Sequence, residues 1–334
     1  MKRLLPVLIA FLVVSPLSAQ LFSFETDWHI ALSPRIGISS GTVGEYIFAK
    51  KEYGWKQNSH LQWKAHIVNT YGIALDAHNG GLNFKGYFDI GLPIWCGSME
   101  DKDWMDDSQP HVNTTRSLHD LYAYGFFTTG AALWYEFDTK LPITLAPIAS
   151  SEFLYRDFKA ENGEAWHGED AYSSNGENVA WFDEVARYFP RVCDVSYRYQ
   201  SLNTYLGLMV IVKANPRLRT EFAFLFAPYS YSYGRDIHYG YSKTTKTQYQ
   251  STYMTHTIHS FLDKVKGYAA IRYKLNNTVE LGLSATYLFS DAVKADYRTK
   301  DLHTGKFSEV RTNVKGGFSI SELSVKLFAK VLLF

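Results

Sequence analysis

The sequence predicts an all-β protein: a ten-stranded antiparallel transmembrane β-barrel with long extracellular loops and short periplasmic turns. Three observations carry that expectation. The chain opens on an export leader. Its body is rich in aromatic residues yet polar on average. Its strand-like runs are separated alternately by short turn signals and long polar segments.

The leader comes first. Lys2 and Arg3 supply a positive start, Leu4 to Val14 an apolar core, and Leu17-Ser18-Ala19 a small-residue end suited to cleavage. The apolar run is too short to span a bilayer, so residues 1–19 are read as a signal peptide and 20–334 as the exported barrel. Of the 34 Lys and Arg residues, those two fall in the leader. The remaining 32 face 33 Asp and Glu. A near-neutral chain lacks the positive excess that nucleic-acid binding requires, so no nucleic-acid partner is expected.

No later segment is apolar enough for a membrane helix. The 24 Tyr, 22 Phe and 8 Trp suit the lipid-facing wall and interfacial girdles of an outer-membrane barrel. A soluble secreted β-sandwich is the competing class. Cys96 and Cys193 are the two cysteines. Export permits a disulfide, but spacing alone does not decide whether they pair.

Four turn signals punctuate the chain: Asp76 to Gly81, Asp138 to Pro142, Lys213 to Arg217 and Lys274 to Thr278. Each has Gly, Pro, Asn or Asp where a tight reversal needs them. Between them lie longer polar segments, at 41–58, 98–118, 159–190, 234–252 and 299–308. Four turns and five long loops divide the chain into ten strands, an even number as bacterial barrels have. Alternation sets the facing of several strands. Ile36 and Ile38, Phe88 to Ile94, Leu281 and Leu283, and Leu323 to Leu333 each keep one parity, which is expected to face lipid. The run 121–137 is apolar on both parities and fixes no facing. The terminal Phe334 has an aromatic of the kind assembly machinery reads, but its parity disagrees with the last strand's apolar set.

Two stretches could carry chemistry. Met99-Glu100-Asp101-Lys102-Asp103-Trp104-Met105-Asp106 follows a strand-like run. In extended backbone Asp101 and Asp103 share a face, with Lys102 and Trp104 turned away. Three readings stand open: a solvated acidic loop, a calcium loop, or a carboxylate pair in which one member holds a proton near neutral pH. The calcium reading fits poorly, because the ligand, Gly and Glu positions of an EF-hand fall on Met105, Asp106 and Val112. Far downstream, Asp236-Ile237-His238 repeats the i, i+2 spacing. There a carboxylate can orient an imidazole and stabilise its charged form, so that His238 could serve as a general base. No G-x-S-x-G element and no H-E-x-x-H motif occurs, and no metal site is expected. His60, His66, His111, His119, His256 and His259 lack ligand-like spacing, apart from the His256/His259 pair, and are read as structural.

Taken together, Met99-x-Asp101-x-Asp103-Trp104-Met105-Asp106 with Ser108 and Pro110, followed by Asp236-x-His238-Tyr239, resembles the second- and fourth-loop motifs of the omptins. These are ten-stranded outer-membrane endopeptidases of Gram-negative bacteria. Gly41 to Glu45 and Leu61-x-Trp63-Lys64 resemble the family's first two strands. The likeness runs over the whole mature chain, although only the two loop motifs are specific.

The resemblance implies a surface endopeptidase with the catalytic set Asp101, Asp103, Asp236 and His238. His238, oriented by Asp236, would activate a water held by Asp101 and Asp103. Met99 and Glu45 would bind substrate, Glu45 receiving a basic side chain next to the scissile bond. No cofactor is implied. The expected partners are a peptide or protein substrate and outer-membrane lipid, with the barrel a monomer and its site on the extracellular side.

Some positions depart from the family pattern. A second acidic residue of the basic pocket falls at Gly234, with Arg235 after it, and a primed-side acid falls at Thr115. Basic residues that bind lipopolysaccharide phosphates fall at Tyr155 and Gln200, with Arg156 adjacent, which implies a weaker or absent lipopolysaccharide dependence. Acidic residues of segment 159–190 (Glu161, Glu164, Glu169, Asp170, Glu177) could attract basic substrates instead. The alternative, from another class, is a non-catalytic barrel, an adhesin or porin-like channel on the same frame.

Overall fold

In the computed structural model, residues 28–104, 113–137, 141–167, 184–187, 193–242, 244–245 and 247–333 are described. The leader, Met105, Asp106, Ser108, Pro110, His111, Glu169, Asp170, Glu177 and Phe334 lie outside the described residues, as does the side chain of Cys193.

Thirteen strand segments form one sheet. They are β1 (His29–Lys51), β2 (Gly54–Asn79), β3 (Leu82–Gly91), β4 (Ile94–Asp103), β5 (Thr115–Tyr135), β6 (Ile143–His167), β7 (Glu184–Arg187), β8 (Cys193–Asn215), β9 (Leu218–Ser242), β10 (Thr247–Ser260), β11 (Lys264–Lys274), β12 (Val279–Thr299) and β13 (Val314–Leu332). β3 and β4 are one pass broken at Leu92-Pro93, where proline removes a ladder donor; both pair with β2 and β5. β10 and β11 are likewise one pass, broken at 261–263, where Leu262 takes a left-handed conformation. β7 only extends the sheet beside β6.

Ten passes remain, as expected, all antiparallel. β1 pairs with β13, so the sheet closes on itself. Closure leaves the ten passes no free edge, the condition for a sheet to cross a bilayer.

Three of the four sequence turns fall where expected. Gly80 adopts φ +54°. Asn215 Oδ1 accepts from the Arg217 and Leu218 amides, and Asn276 Oδ1 from those of Thr278 and Val279. The fourth, at 138–142, lies mainly outside the described residues. The predicted facing also holds: Ile36, Ile38, Phe88, Ile90, Leu281, Leu283, Leu323 and Leu327 point outward.

The expected long loops are corrected in part. Residues 41–58 are the tops of β1 and β2, joined by a two-residue turn at Glu52-Tyr53. Segments 98–118, 159–190 and 234–252 also contribute strand. β6 alone has 25 residues, against about 9–11 needed to cross a membrane. Above the bilayer both faces of a strand meet water, so the apolar alternation that signals a strand disappears. The candidate residues therefore stand on rigid ladder.

Within the membrane zone the lumen is filled. Arg35 and Lys326 both pair with Asp89, Lys266 with Glu152, Arg272 with Glu221, and Arg156 with Glu322. These bonds surround an interior cavity of about 130 Å³. Higher up, Trp63 on β2 stacks on Tyr197 of β8 across the barrel, with ring centroids 5.3 Å apart, and also on Phe158. This aromatic floor, with Met99 and Phe318, separates the lumen from the mouth.

Candidate functional site

β4 carries the acidic segment to the rim opposite the short turns. Its register depends on a bulge between Trp95 and Gly97. At Gly97 the Lys64 carbonyl oxygen lies 2.0 Å from where a Cβ would sit, so this close approach admits only glycine. Beyond it the strand alternates as the sequence implied. Met99 is fully buried in the floor, and Asp101 and Asp103 follow on its face. Glu100 and Lys102 point outward. There Lys64, Lys102 and Arg116 surround Glu100; despite its partial burial, their bonds and charges lower its carboxyl to about 2. Asp101 accepts from Ser59 Oγ at 3.4 Å, and the Asp103 carbonyl is clamped by Asn113 and Thr114.

β9 carries the second pair. Asp236 and His238 share its inner face, and His238 Nε2–H donates to Asp236 Oδ2 at 2.8 Å. Asp236 is completely buried, whereas the His238 side chain keeps 32% of its surface exposed. Asp236 Oδ1 has no hydrogen-bond partner among the described residues.

The sheet order sets β4 and β9 on opposite walls. The electrostatics show that the two pairs act on one another. Burial pushes the Asp101 carboxyl well above the carboxylate range, the Asp103 charge adds to this, and His238 pulls against it. Burial lowers the affinity of His238 for its proton, but Asp236, through charge and hydrogen bond, then Asp101 and Glu45, push it up to about 10.

Glu45 joins this cluster from β1. It is fully buried, and burial followed by the Asp236 charge raises its carboxyl well above the usual range. His256 Nε2 and Glu45 Oε1 share a hydrogen bond of 2.8 Å. Burial lowers the His256 imidazole to about 4, so it stays neutral. Structure thus brings Asp101, Asp236, His238 and Glu45 into one field, with Asp103 beside Asp101 and Met99 beneath.

Two groups near the site were not singled out from sequence. One is His256, which its sequence spacing predicts to be a structural or loop residue. Ser117 pairs in register with Asp101, and its Oγ lies 2.9 Å from His119 Nε2, whose Nδ1 lies 3.0 Å from Asp194 Oδ2. Only Ser117-x-His119 is a local pattern; Asp194 arrives from a distant strand, and no spacing signal reveals it. Cys96 is a buried free thiol. Arg156, adjacent in sequence to the wall position Tyr155, points inward to Glu322; outward cations at that height include Lys159, Arg198 and Arg235.

A closed outer-membrane barrel with an acid–imidazole cluster at its outer mouth defines a class: the surface proteases of the bacterial outer membrane. Within that class the omptin family model matches residues 26–327, and the chain belongs to the omptin family. Among solved structures the chain is similar to the outer-membrane protease OmpT from Escherichia coli, at 16% identity and TM-score 0.73, covering 94% of this chain and 99% of that one. The translocator domain of the autotransporter NalP from Neisseria meningitidis aligns at 10% identity and TM-score 0.34, covering 97% of this chain and 95% of that one. No curated protein sequence matches. The protein is an outer-membrane protease whose substrates are peptides.

Proposed function

We propose that the protein is an endopeptidase in which water attacks the peptide carbonyl directly, between Asp101 with Asp103 on one wall and His238 with Asp236 on the other. The observation that carries this reading is geometric: Asp101 and Asp103 share one face of β4, and His238, bonded to the buried Asp236, shares the inner face of β9 on the facing wall. A half-buried carboxyl and an imidazole facing one another form a proton-exchanging pair whose acid and base limbs belong to both.

The proton count defines the reactive form. With Asp101 and His238 both protonated, no base is present. Loss of one proton leaves an Asp101 carboxylate opposite an imidazolium. Its tautomer has a protonated Asp101 and a neutral His238, with the same count. Water between them gives its proton to this pair as its oxygen bonds to the carbonyl carbon. The pair then returns a proton to the leaving amine as the C–N bond breaks. Asp236 keeps the imidazole oriented throughout. The Trp63–Tyr197 floor excludes bulk water from below, which strengthens these interactions.

Outer-membrane lipid is the second partner. The reading assigns lipopolysaccharide phosphates to Lys159, Arg198 and Arg235 on the outer wall, where Tyr124, Tyr155 and Tyr253 sit beside the cations. Cleavage of peptides by the refolded protein, lost in Asp101→Asn, tests the peptidase reading. Conductance across planar bilayers without cleavage would favour a channel instead.

A further inference from the structure

We infer that the hairpin joining β12 to β13 is a docking surface for an acidic stretch of the peptide substrate, because its cations stand level with the Asp236–His238 dyad and outnumber the carboxylates around them. This inference rests on the endopeptidase reading and names a feature of its substrates.

The charge comes first. Residues 294–315 hold six Lys and Arg side chains against three acids, Asp296, Asp301 and Glu309. Two of those acids are already engaged. Asp296 pairs with Lys315, and Asp301 Oδ1 accepts from the His303 and Thr304 amides, which closes the turn. Arg298, Lys306 and Arg311 are exposed, and Lys300 is half-buried. Among the described residues none of these four makes an ion pair. Lys300 lies over the Tyr253 and Phe307 rings at 5.1 and 5.9 Å, and Arg311 over Tyr297 at 5.8 Å. A ring face attracts a cation without neutralising it, so the charge remains open to an anion.

Height and reach connect this surface to the site. The Lys300 amide donates to the Tyr253 carbonyl, and Tyr253 pairs with Ile237, between Asp236 and His238. One ladder row thus runs from the hairpin to the dyad. The tip at 301–306 lies beyond that row, on the side away from the membrane. Arg311 stands towards the mouth. The Tyr297 ring beneath it tilts against His256, with centroids 5.4 Å apart. Burial pushes the Tyr297 hydroxyl up to about 12; Arg311 pulls against that rise, and Asp236 and Glu45 add to it. Arg311 and the acidic cluster therefore share one field. At this height β12 pairs with β10 and β10 with β9, two strand steps in all. At roughly 4.8 Å per step the hairpin is about 10 Å from the dyad's strand, and an extended peptide advances about 3.3 Å per residue. The acidic residues should fall about three to five positions from the cut bond. A position level with the dyad and above it favours a peptide in the mouth over a lipid phosphate at the bilayer surface.

The experiment takes one peptide that the refolded wild type cleaves and places Glu or Gln at those positions, on either side of the cut. kcat and KM are measured in detergent. Glu is expected to raise kcat/KM about fivefold or more over Gln at low salt, through KM, with the gain shrinking as salt is added. Replacing Lys300, Lys306 and Arg311 together by Gln is expected to bring the Glu-to-Gln ratio to about one. No gain from Glu in the wild type overturns the inference, as does a gain that survives in the folded triple variant. Loss of lipopolysaccharide activation with an unchanged ratio assigns the hairpin to lipid and overturns it too. If no peptide is cut, the endopeptidase reading fails by itself. Fluorescence anisotropy of a labelled Glu-rich peptide, bound by the wild type and not by the triple variant, then still supports the surface. Absence of that binding brings the surface down as well.

Discussion

Replacing Asp236 with Asn separates the orienting carboxylate from the rest of the site. The amide keeps the size of the side chain but removes the charge that acts most strongly in raising the His238 proton affinity, which stands at about 10. The lost contact is a 2.8 Å charge-assisted hydrogen bond with its acceptor fully buried. Such bonds are worth roughly 1.5–3 kcal/mol, and 1.36 kcal/mol corresponds to one pKa unit. The imidazolium of the variant should therefore release its proton roughly 1–2 units lower. Because activity is lost as His238 deprotonates, the alkaline limb of the rate profile moves down from near 10 by that amount. An amide also accepts and donates differently, so the imidazole loses its fixed tautomer. In a comparable carboxylate–imidazole pair that loss costs about 10⁴ in rate. The assay is kcat/KM for a fluorogenic peptide from pH 5 to 11 in detergent, with folding checked by circular dichroism. An alkaline limb that stays in place, with activity within tenfold of wild type, would refute the assignment of Asp236.

Other outcomes follow from the same geometry. Burial first, then Asp103, raises the Asp101 carboxyl, so activity should fail on acidification above the ordinary carboxylate range; in Asp103→Asn the residual activity should persist to lower pH, read from the acid limb. Gly97→Ala places a Cβ 2.0 Å from the Lys64 carbonyl. Relief requires shifting β4, and a misplacement of about 1 Å costs on the order of 10² in kcat/KM, with thermal stability also falling. Arg198→Ala, which removes an outward cation paired with Asp157, should weaken activation by added lipopolysaccharide while leaving the barrel folded; unchanged titration curves would exclude that wall as the lipid site.

Much of the barrel was legible because lipid and lumen impose opposite polarity on alternate residues. Ile36 and Ile38, or Leu323 and Leu327, reveal their facing for that reason. The upper strands were hidden because they stand in water: Asp101 and Asp236 read as loop residues although they sit in ladder. The two i, i+2 pairs were legible since extended backbone puts both members on one face whether the segment is called loop or strand. Their neighbours were not. His256 reaches Glu45 across 211 positions of chain, and Asp194 reaches His119 across 75. Closure of the sheet brings the first pair together, and the consecutive pairing of β5, β6 and β8 the second.

Peptide cleavage by the refolded protein, wild type beside Asp101→Asn, with products read by mass spectrometry, tests the central claim most directly. The account predicts cleavage by the wild type and a loss of at least three orders of magnitude in a folded Asp101→Asn. A folded variant that cuts at the wild-type rate would contradict water activation between the acid pair and the dyad.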